Sequence, residues 1–327
     1  MPATEFSLIN HYFARHAQVH DDVVLGIGDD AAVLRVPAGQ ELVVTTDTMV
    51  AGVHFPASAT AGDIGHKLLA VNLSDIAAMG AIPRWASLAL TLPEVDDEWL
   101  EGFCQGLFTL AAEHNVALVG GDTTRGPLTL SITLQGLVPA GQALRRDGAN
   151  VGDAIYVSGS LGDAGLALQH ELGQCTVAEV ADLLPKLHRP TPRVELGQAL
   201  RGLASAAIDI SDGLLADLGH ILKASHVGTR LELAALPVSA AVQAITRSGD
   251  WRLPLAAGDD YELCFTVPPA QETALQAKLA GLALPVSRIG QIEAEAGLRC
   301  FDAGGACYTP QATGYEHFAM HTGGKPA

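Results

Sequence analysis

Six times along this 327-residue chain, Asp stands beside Gly, Ser or Thr at the edge of a short apolar run. The clusters are Gly26-Ile27-Gly28-Asp29-Asp30, Val43-Val44-Thr45-Thr46-Asp47-Thr48, Asn72-Leu73-Ser74-Asp75, Val119-Gly120-Gly121-Asp122-Thr123-Thr124, Asp209-Ile210-Ser211-Asp212-Gly213 and Gly258-Asp259-Asp260-Tyr261-Glu262. A carboxylate set among buried apolar residues must meet a donor or a cation, because an unpaired buried charge is very costly. One such cluster reads as well as a turn or a helix cap, where Asp, Ser and Gly are common. Six of them repeat the same hard-oxygen chemistry, the kind that Mg2+ prefers.

The segments between the clusters alternate in period. Spacing predicts a helix over 5–16, then strands at Val23–Ile27, Ala31–Val36, Glu41–Thr46 and Val53–Phe55. A helix over 62–80 ends at a Gly, and a strand (85–92), a helix (96–115) and strands at 117–119 and 128–138 follow. The stretch 139–153 is rich in Gly, Ala and charge and reads as a boundary. Beyond it the alternation restarts: strands at 154–158, 206–210, 230–233, 263–266, 287–292 and 298–302, and helices at 162–172, 194–201, 213–224 and 270–280. The expected fold class is α/β, with one α/β domain over 1–140 and a second over 150–327.

Strand alternation puts Thr45 and Asp47 on one face at the polar end of their strand. Leu68, Asn72, Asp75 and Met79 share a helical face. Gly120-Gly121 reads as a turn after a strand, open to close approach by a phosphate. Ser211 or Asp212 could cap the helix that follows.

Composition narrows the partners. Asp and Glu number 36 against 19 Lys and Arg, a net charge of −17, which argues against nucleic acid and anionic membranes held by general attraction. Apolar residues at 48% allow sizeable cores. No apolar stretch approaches the roughly 20 residues that span a bilayer. The start lacks a basic segment followed by an apolar one, so no secretory signal is expected. Five cysteines form no CxxC pair, which argues against a disulfide framework or a Cys-type zinc site and fits the cytoplasm. GxxxxGK[ST], a complete GxGxxG, HExxH and GxSxG are all missing.

Read in order, GIGDDAAV, TTDTMVAGVHF, KLLAVNLSDIAAMGA, GGDTTRG, RRDGANVGD, DISDG, GDDYEL and GYEHF resemble the segments of the thiamine-monophosphate kinase family. The resemblance runs from Glu5 to Phe318. It implies the two-domain architecture shared with aminoimidazole ribonucleotide synthetase and selenophosphate synthetase, and a homodimer formed through the sheets of the N-terminal halves. It also implies transfer of the γ-phosphoryl of ATP to thiamine monophosphate, with several Mg2+ ions. Carried over position by position, Asp30, Thr45, Thr46, Asp47, Asp75, Asp122, Asp209 and Asp212 would be metal ligands. Gly121, Asp122, Arg146 and Ser211 would lie at the nucleotide. His54, Tyr315 and an acid of 258–262 would contact the thiamine substrate, with Asp259 standing where the family usually has Glu. Asp47, Asp212 and Arg146 would serve the transfer itself.

Two other readings fit parts of the pattern: another ATP-dependent synthetase of the same architecture, or a noncatalytic metal-binding module. The first Cys, Cys104, falls inside an expected helix, unlike the reactive N-terminal Cys or selenocysteine of selenophosphate enzymes. A metal-binding module gives no reason for GGDTT, Arg146 and the His54 segment to occur together.

Overall fold

The computed structural model describes residues 5–16, 18, 20–178 and 180–315, so Glu316, His317 and Phe318 of the closing motif lie outside the described residues. Helix α1 (Glu5–Leu8) continues through a π-helical turn, Ile9–Phe13, and a 3-10 turn, Ala14–His16. The expected N-terminal helix is therefore present, but it changes pitch twice. Strands β1 (Val23–Leu25) and β2 (Val33–Leu34) form a small antiparallel pair.

Next come β3 (Gln40–Val50), α2 (Ala61–Ala78), β4 (Ile82–Leu92), α3 (Asp97–Glu113), β5 (Ala117–Arg125) and β6 (Thr129–Pro139). Their strands make one sheet in the order β3-β6-β4-β5. Its neighbours are antiparallel except β4 and β5, which run parallel because α3 carries the chain back between them.

The second domain holds β7 (Ala154–Ser158), α4 (Asp163–Glu171), α5 (Leu184–His188), α6 (Val194–Ala199), β8 (Ala206–Ile210) and α7 (Leu214–Ser225). It continues through β9 (Gly228–Glu232), α8 (Ala240–Thr246), α9 (Arg252–Ala256), β10 (Glu262–Val267) and α10 (Glu272–Leu279). Strands β11 (Val286–Glu293), β12 (Gly297–Phe301) and β13 (Cys307–Tyr308) complete a sheet of order β13-β12-β9-β11-β7-β10-β8. The fold is thus two α/β domains, and all five cysteines are free.

Several expected elements differ. Val53 and His54 lie in a turn, Phe55 makes only an isolated bridge with Ala51, and β3 runs on through Asp47 to Val50. The reason is the ladder with β6, unbroken from Gln40↔Pro139 to Val50↔Thr129, which keeps polar Thr and Asp extended. GGDTT likewise belongs to β5 and is not a turn. Gly121 is there for packing: at φ 148 a Cβ would stand 1.8 Å from the Leu88 carbonyl oxygen of β4. Helices α5, α8 and α9 were not anticipated, being too short for a helical period to register.

Helix α2 joins the two domains. Thr60 caps it, accepting the Asp63 N–H at 3.2 Å and donating its hydroxyl to the Asp63 carboxylate at 2.8 Å. It ends in a Schellman arrangement, with the Gly80 N–H on Ala77 O and the Ala81 N–H on Ile76 O. Gly80 supplies the left-handed φ of 66° that this stop requires. From Ile64 to Ala78 every residue except His66 and Asp75 is buried. A helix so apolar on all sides must be covered on all sides. It packs on α3 and on β3, β4 and β6 of its own domain, and on α5, α6, β8 and β10 of the other. One core accordingly runs across both, from Leu68, Phe103 and Leu134 to Tyr156, Leu263 and Phe265.

Candidate active site

The edge of β3, one face of α2 and the β8–α7 junction meet at a cleft of about 840 Å³. It is lined by Thr46, Asp47, His54, Asp75, Asp209, Ser211, Asp212, Asp259 and Tyr315 among others. Nine of the residues singled out from sequence are therefore brought to one place, from segments as distant as β3 and the chain beyond β13. Thr45 joins them by hydrogen bond, its hydroxyl donating to Asp75 Oδ2 at 2.5 Å. Arg146 is exposed on the connection between the domains, and its positive charge reaches Asp75. Asp30, Gly121 and Asp122 stand outside the cleft lining: Asp30 in the exposed turn between β1 and β2, the other two on β5, at the far edge of the sheet from β3. A second cleft, of about 660 Å³ where α2 and α3 begin, contains none of the residues expected from sequence.

Backbone geometry explains why the acids converge. Asp47 faces α2 from the middle of β3, and its N–H is held by Asn72 Oδ1 at 3.2 Å. The Asn72 amide is anchored in turn on the Leu68 carbonyl at 2.9 Å. Strand β8 is buried throughout and alternates Ile208 and Ile210 into its own domain's core, which turns Asp209 toward α2. There Ser74 donates to Asp209 Oδ2 at 2.8 Å.

Three carboxylates thus share one partly dry site. Burial, and then the charge of Asp75, raise Asp47 to about 7. Asp209 is raised to about 8, by burial first and then by the charge of Asp75. Burial also raises Asp75, while the Thr45 hydroxyl and the charge of Arg146 pull it back. Among the described residues no three carboxylate, imidazole or thiol groups form a ready-made metal cage. The donor set nevertheless fits a hard divalent cation. Its oxygens are carboxylates and hydroxyls, and their mutual repulsion is relieved only by protons or by added positive charge.

The β8–α7 junction is organised by a residue the sequence reading missed. Neither Ser211 nor Asp212 caps α7. Asp217, one turn inside the helix, instead accepts the N–H groups of Ser211, Asp212 and Gly213 through Oδ2 at 3.0, 3.0 and 3.2 Å. This leaves the Ser211 and Asp212 side chains free of capping duty. An acid in the first turn of a helix after a Gly is the signal that could have found it.

The loop Gly258–Tyr261 is stitched onto the same junction. The Asp259 and Tyr261 N–H groups donate to Ser211 O and Ile210 O at 2.9 and 2.8 Å. Both residues are left-handed, with φ of 69° and 47°. Such conformations cost about 1–3 kcal/mol each and gather at functional sites. Asp260 is turned away from the cleft and accepts the Gly162 N–H, and Glu262 is engaged by Arg193 and Ser158. Of the three acids in this motif, Asp259 alone lines the cleft. His54 Nδ1 accepts the Val50 N–H at 3.0 Å, so its neutral ring carries the proton on Nε2. The Tyr315 N–H donates to Asp212 O at 3.0 Å, which holds Tyr315 at the cleft.

Comparison with known proteins meets this geometry. The family model described as AIR synthase related protein, N-terminal domain, matches residues 28–138, and its C-terminal counterpart matches residues 150–303. Thiamine-monophosphate kinase of Escherichia coli K12 is 50% identical over 323 residues, covering 98% of this chain and 99% of that one. The chain belongs to the thiamine-monophosphate kinase family. The crystal structure of thiamine-monophosphate kinase from Stenotrophomonas maltophilia K279a aligns with a TM-score of 0.84 at 50% identity, over 92% of this chain and 97% of that chain. A second solved relative, AaThiL complexed with AMPPCP and TMP, aligns with a TM-score of 0.75 at 30% identity, over 87% and 89%.

Proposed function

We propose that this protein transfers the γ-phosphoryl group of ATP to thiamine monophosphate, giving thiamine diphosphate and ADP, in thiamine diphosphate biosynthesis. The observation that carries the reading is the meeting of Asp47, Asp75 and Asp209, from two domains, in one cleft with Ser211, Asp212, His54, Asp259 and Tyr315. Its family membership and the complex of AaThiL with AMPPCP and TMP support the choice of substrates.

The nucleophile is a phosphate oxygen of thiamine monophosphate, anionic at neutral pH, so no side chain has to remove a proton from it. That oxygen bonds to the γ-phosphorus as the bond to the β–γ bridging oxygen breaks and ADP departs with the electron pair. The obstacle is charge: two unit charges about 4 Å apart repel by about 4 kcal/mol at an effective dielectric near 20, and several such pairs meet here. Mg2+ ions, held by Thr45, Thr46, Asp47, Asp75, Asp209 and Asp212 and by Asp30 and Asp122, which stand outside the cleft lining, would supply the neutralising charge.

The chain's own residues do the positioning. Asp47 and Asp212 fix opposite walls of the cleft, one from each domain. Arg146 assists at the ATP phosphates, with Gly121, Asp122 and Ser211 at the nucleotide. His54, Asp259 and Tyr315 receive the thiamine part, Tyr315 by stacking on its rings. In this reading residues 1–140 hold metal and ATP and pair with a second copy, and residues 150–327 complete the nucleotide and substrate contacts.

A homodimer is supported by the sheet face opposite α2, where Leu42 and Val44 of β3 are 48% and 55% exposed and Ile82 of β4, two strands away, is exposed as well. The cytoplasm, where ATP is made and thiols stay reduced, is the compartment we assign. Among the described residues no helix is long and apolar enough to cross a membrane.

Incubation with ATP, Mg2+ and thiamine monophosphate, followed by chromatography, tests the reading: thiamine diphosphate should accumulate with equimolar ADP. Free thiamine, whose neutral hydroxyl would need a base, should be a poor acceptor. If it were the better one, the mechanism would fail.

A further inference from the structure

We propose that Lys67 is a positioning residue for the acceptor: it holds the Asp259 carboxylate by one oxygen so that the other is presented to the cationic ring system of the ligand. The inference rests on the kinase reading above and deepens it. Among the described residues that line the cleft, Lys67 is the only Lys or Arg. It projects from α2 on the same face as Val71 and Asp75, is 4% exposed, and places Nζ 3.1 Å from Asp259 Oδ1. The Tyr261 hydroxyl donates to that same oxygen, also at 3.1 Å.

Two donors therefore converge on Oδ1, while Oδ2 has no hydrogen-bond partner among the described residues. The side-chain exposures order the pair, 5% for Lys67 against 27% for Asp259, with the ammonium behind and the carboxylate in front. Because the 258–261 backbone is pinned to the β8–α7 junction, the carboxylate has little room to turn unless the ammonium is removed.

The acceptor carries two opposite charges, a thiazolium cation in its central ring and a phosphate on the ethyl arm of that ring. A carboxylate held by a single oxygen suits the cationic ring. An ammonium so deeply covered has little surface left for the phosphate. Lys67 thus acts through Asp259, across the boundary between the domains, and sets how well the thiamine part is recognised.

The test compares Lys67→Met, Lys67→Arg, Asp259→Asn and the double variant in steady-state kinetics, with KM and kcat measured for thiamine monophosphate and for ATP. K67M should raise KM for thiamine monophosphate about tenfold, leaving kcat and KM for ATP within about twofold. K67R should recover most of the loss, and adding K67M to D259N should cost no more than about twofold beyond D259N alone. If K67M does not fold, the double variant, which has lost both charges, still gives this last comparison.

A fall in kcat at unchanged KM for thiamine monophosphate would overturn the proposal in favour of a phosphoryl contact. Losses that simply add in the double variant would overturn it as well. Normal kinetics of K67M beside an active unmodified protein would overturn the role of Lys67 alone. No turnover of thiamine monophosphate by the unmodified protein would overturn the kinase reading and this proposal together.

Discussion

Two sets of buried or half-buried carboxylates in this chain are treated in opposite ways. Glu262 lies against Arg193, whose Nε donates to Oε2 at 2.6 Å and whose Nη2 donates to Oε1, and it also accepts the Ser158 hydroxyl at 2.5 Å. Asp22 is held likewise, by the Arg84 guanidinium and by the Trp85 indole N–H at 3.1 Å. Each of these acids is given its counter-charge by the chain. Among the described residues, Asp47, Asp75 and Asp209 instead face one another, relieved by the Thr45 and Ser74 hydroxyls, by a hydrogen bond between Asp47 and Asp75 and by the charge of Arg146, with no Lys or Arg bonded directly to them. The contrast separates an acid that supports the fold from acids that await a ligand: the first kind is neutralised internally, and the second is left to something that binds.

Substitutions in the two sets should therefore fail differently. Asp75→Ala should lower thiamine diphosphate formation by about 10³-fold or more, through lost metal electrostatics. Its urea midpoint should stay level or rise, since a like-charge contact is relieved. Arg193→Met should do the reverse at first sight, costing about 3–5 kcal/mol in urea unfolding because Glu262 is left buried and unpaired. If D75A unfolded the protein and R193M did not, the distinction between the two sets would be broken.

Packing at α2 gives a smaller effect that touches neither set. Gly106 of α3 lies so close to α2 that a Cβ would stand 1.9 Å from the Gly62 carbonyl oxygen. Gly106→Ala should destabilise by about 1–3 kcal/mol by forcing the helices apart. Nucleotide binding measured on the folded fraction should be little changed.

The smallest effect is pH dependence at Asp22. Burial alone would raise its carboxyl, but the hydrogen bonds from Arg84 and Trp85 together with the charges of Arg84 and His20 outweigh it, holding the carboxyl below the ordinary 3.8. The folded state binds this proton less readily than the unfolded chain, so the contribution is complete above the unfolded value. It is lost as pH falls through the lower folded value. Acid unfolding followed by circular dichroism should show Arg84→Met removing about 1–2 kcal/mol at neutral pH and less toward pH 3. An equal effect at both pH values would contradict the assignment.

Much of this was legible in the sequence, and the gaps have physical causes. Four of the six Asp clusters marked the cleft, because carboxylates beside apolar runs are costly without a purpose, while those at 26–30 and 119–124 lie outside its lining, and eight ordered motifs named the family. The long strands and helices were readable from their periods. What the periods do not carry is the partner of each group. Lys67 with Asp259 and Arg193 with Glu262 pair over long separations, across α2 and the second sheet, and only the folded chain brings them together.

Spacing predicts one helical face of Leu68, Asn72, Asp75 and Met79, whereas Lys67, Val71 and Asp75 line the cleft while Leu68 and Asn72 are fully buried. That is a rotation of one residue, which the all-round apolar character of α2 concealed. Gly120-Gly121, expected as a turn after a strand, lies with Asp122 inside β5, because Gly121 is what β4 and β5 need to approach.

The charge of −17 also takes on a local meaning. It argues against nonspecific phosphate binding, yet both proposed substrates are anions. The two agree if the carboxylates of the cleft accept anionic ligands only after cations have bound. Calorimetric titration of the intact protein with an ATP analogue, first with Mg2+ and then with excess EDTA, tests this directly. The affinity should fall by about a hundredfold or more on chelation, the loss expected when several unscreened charge pairs meet. Affinity that is unchanged without metal would contradict the central claim.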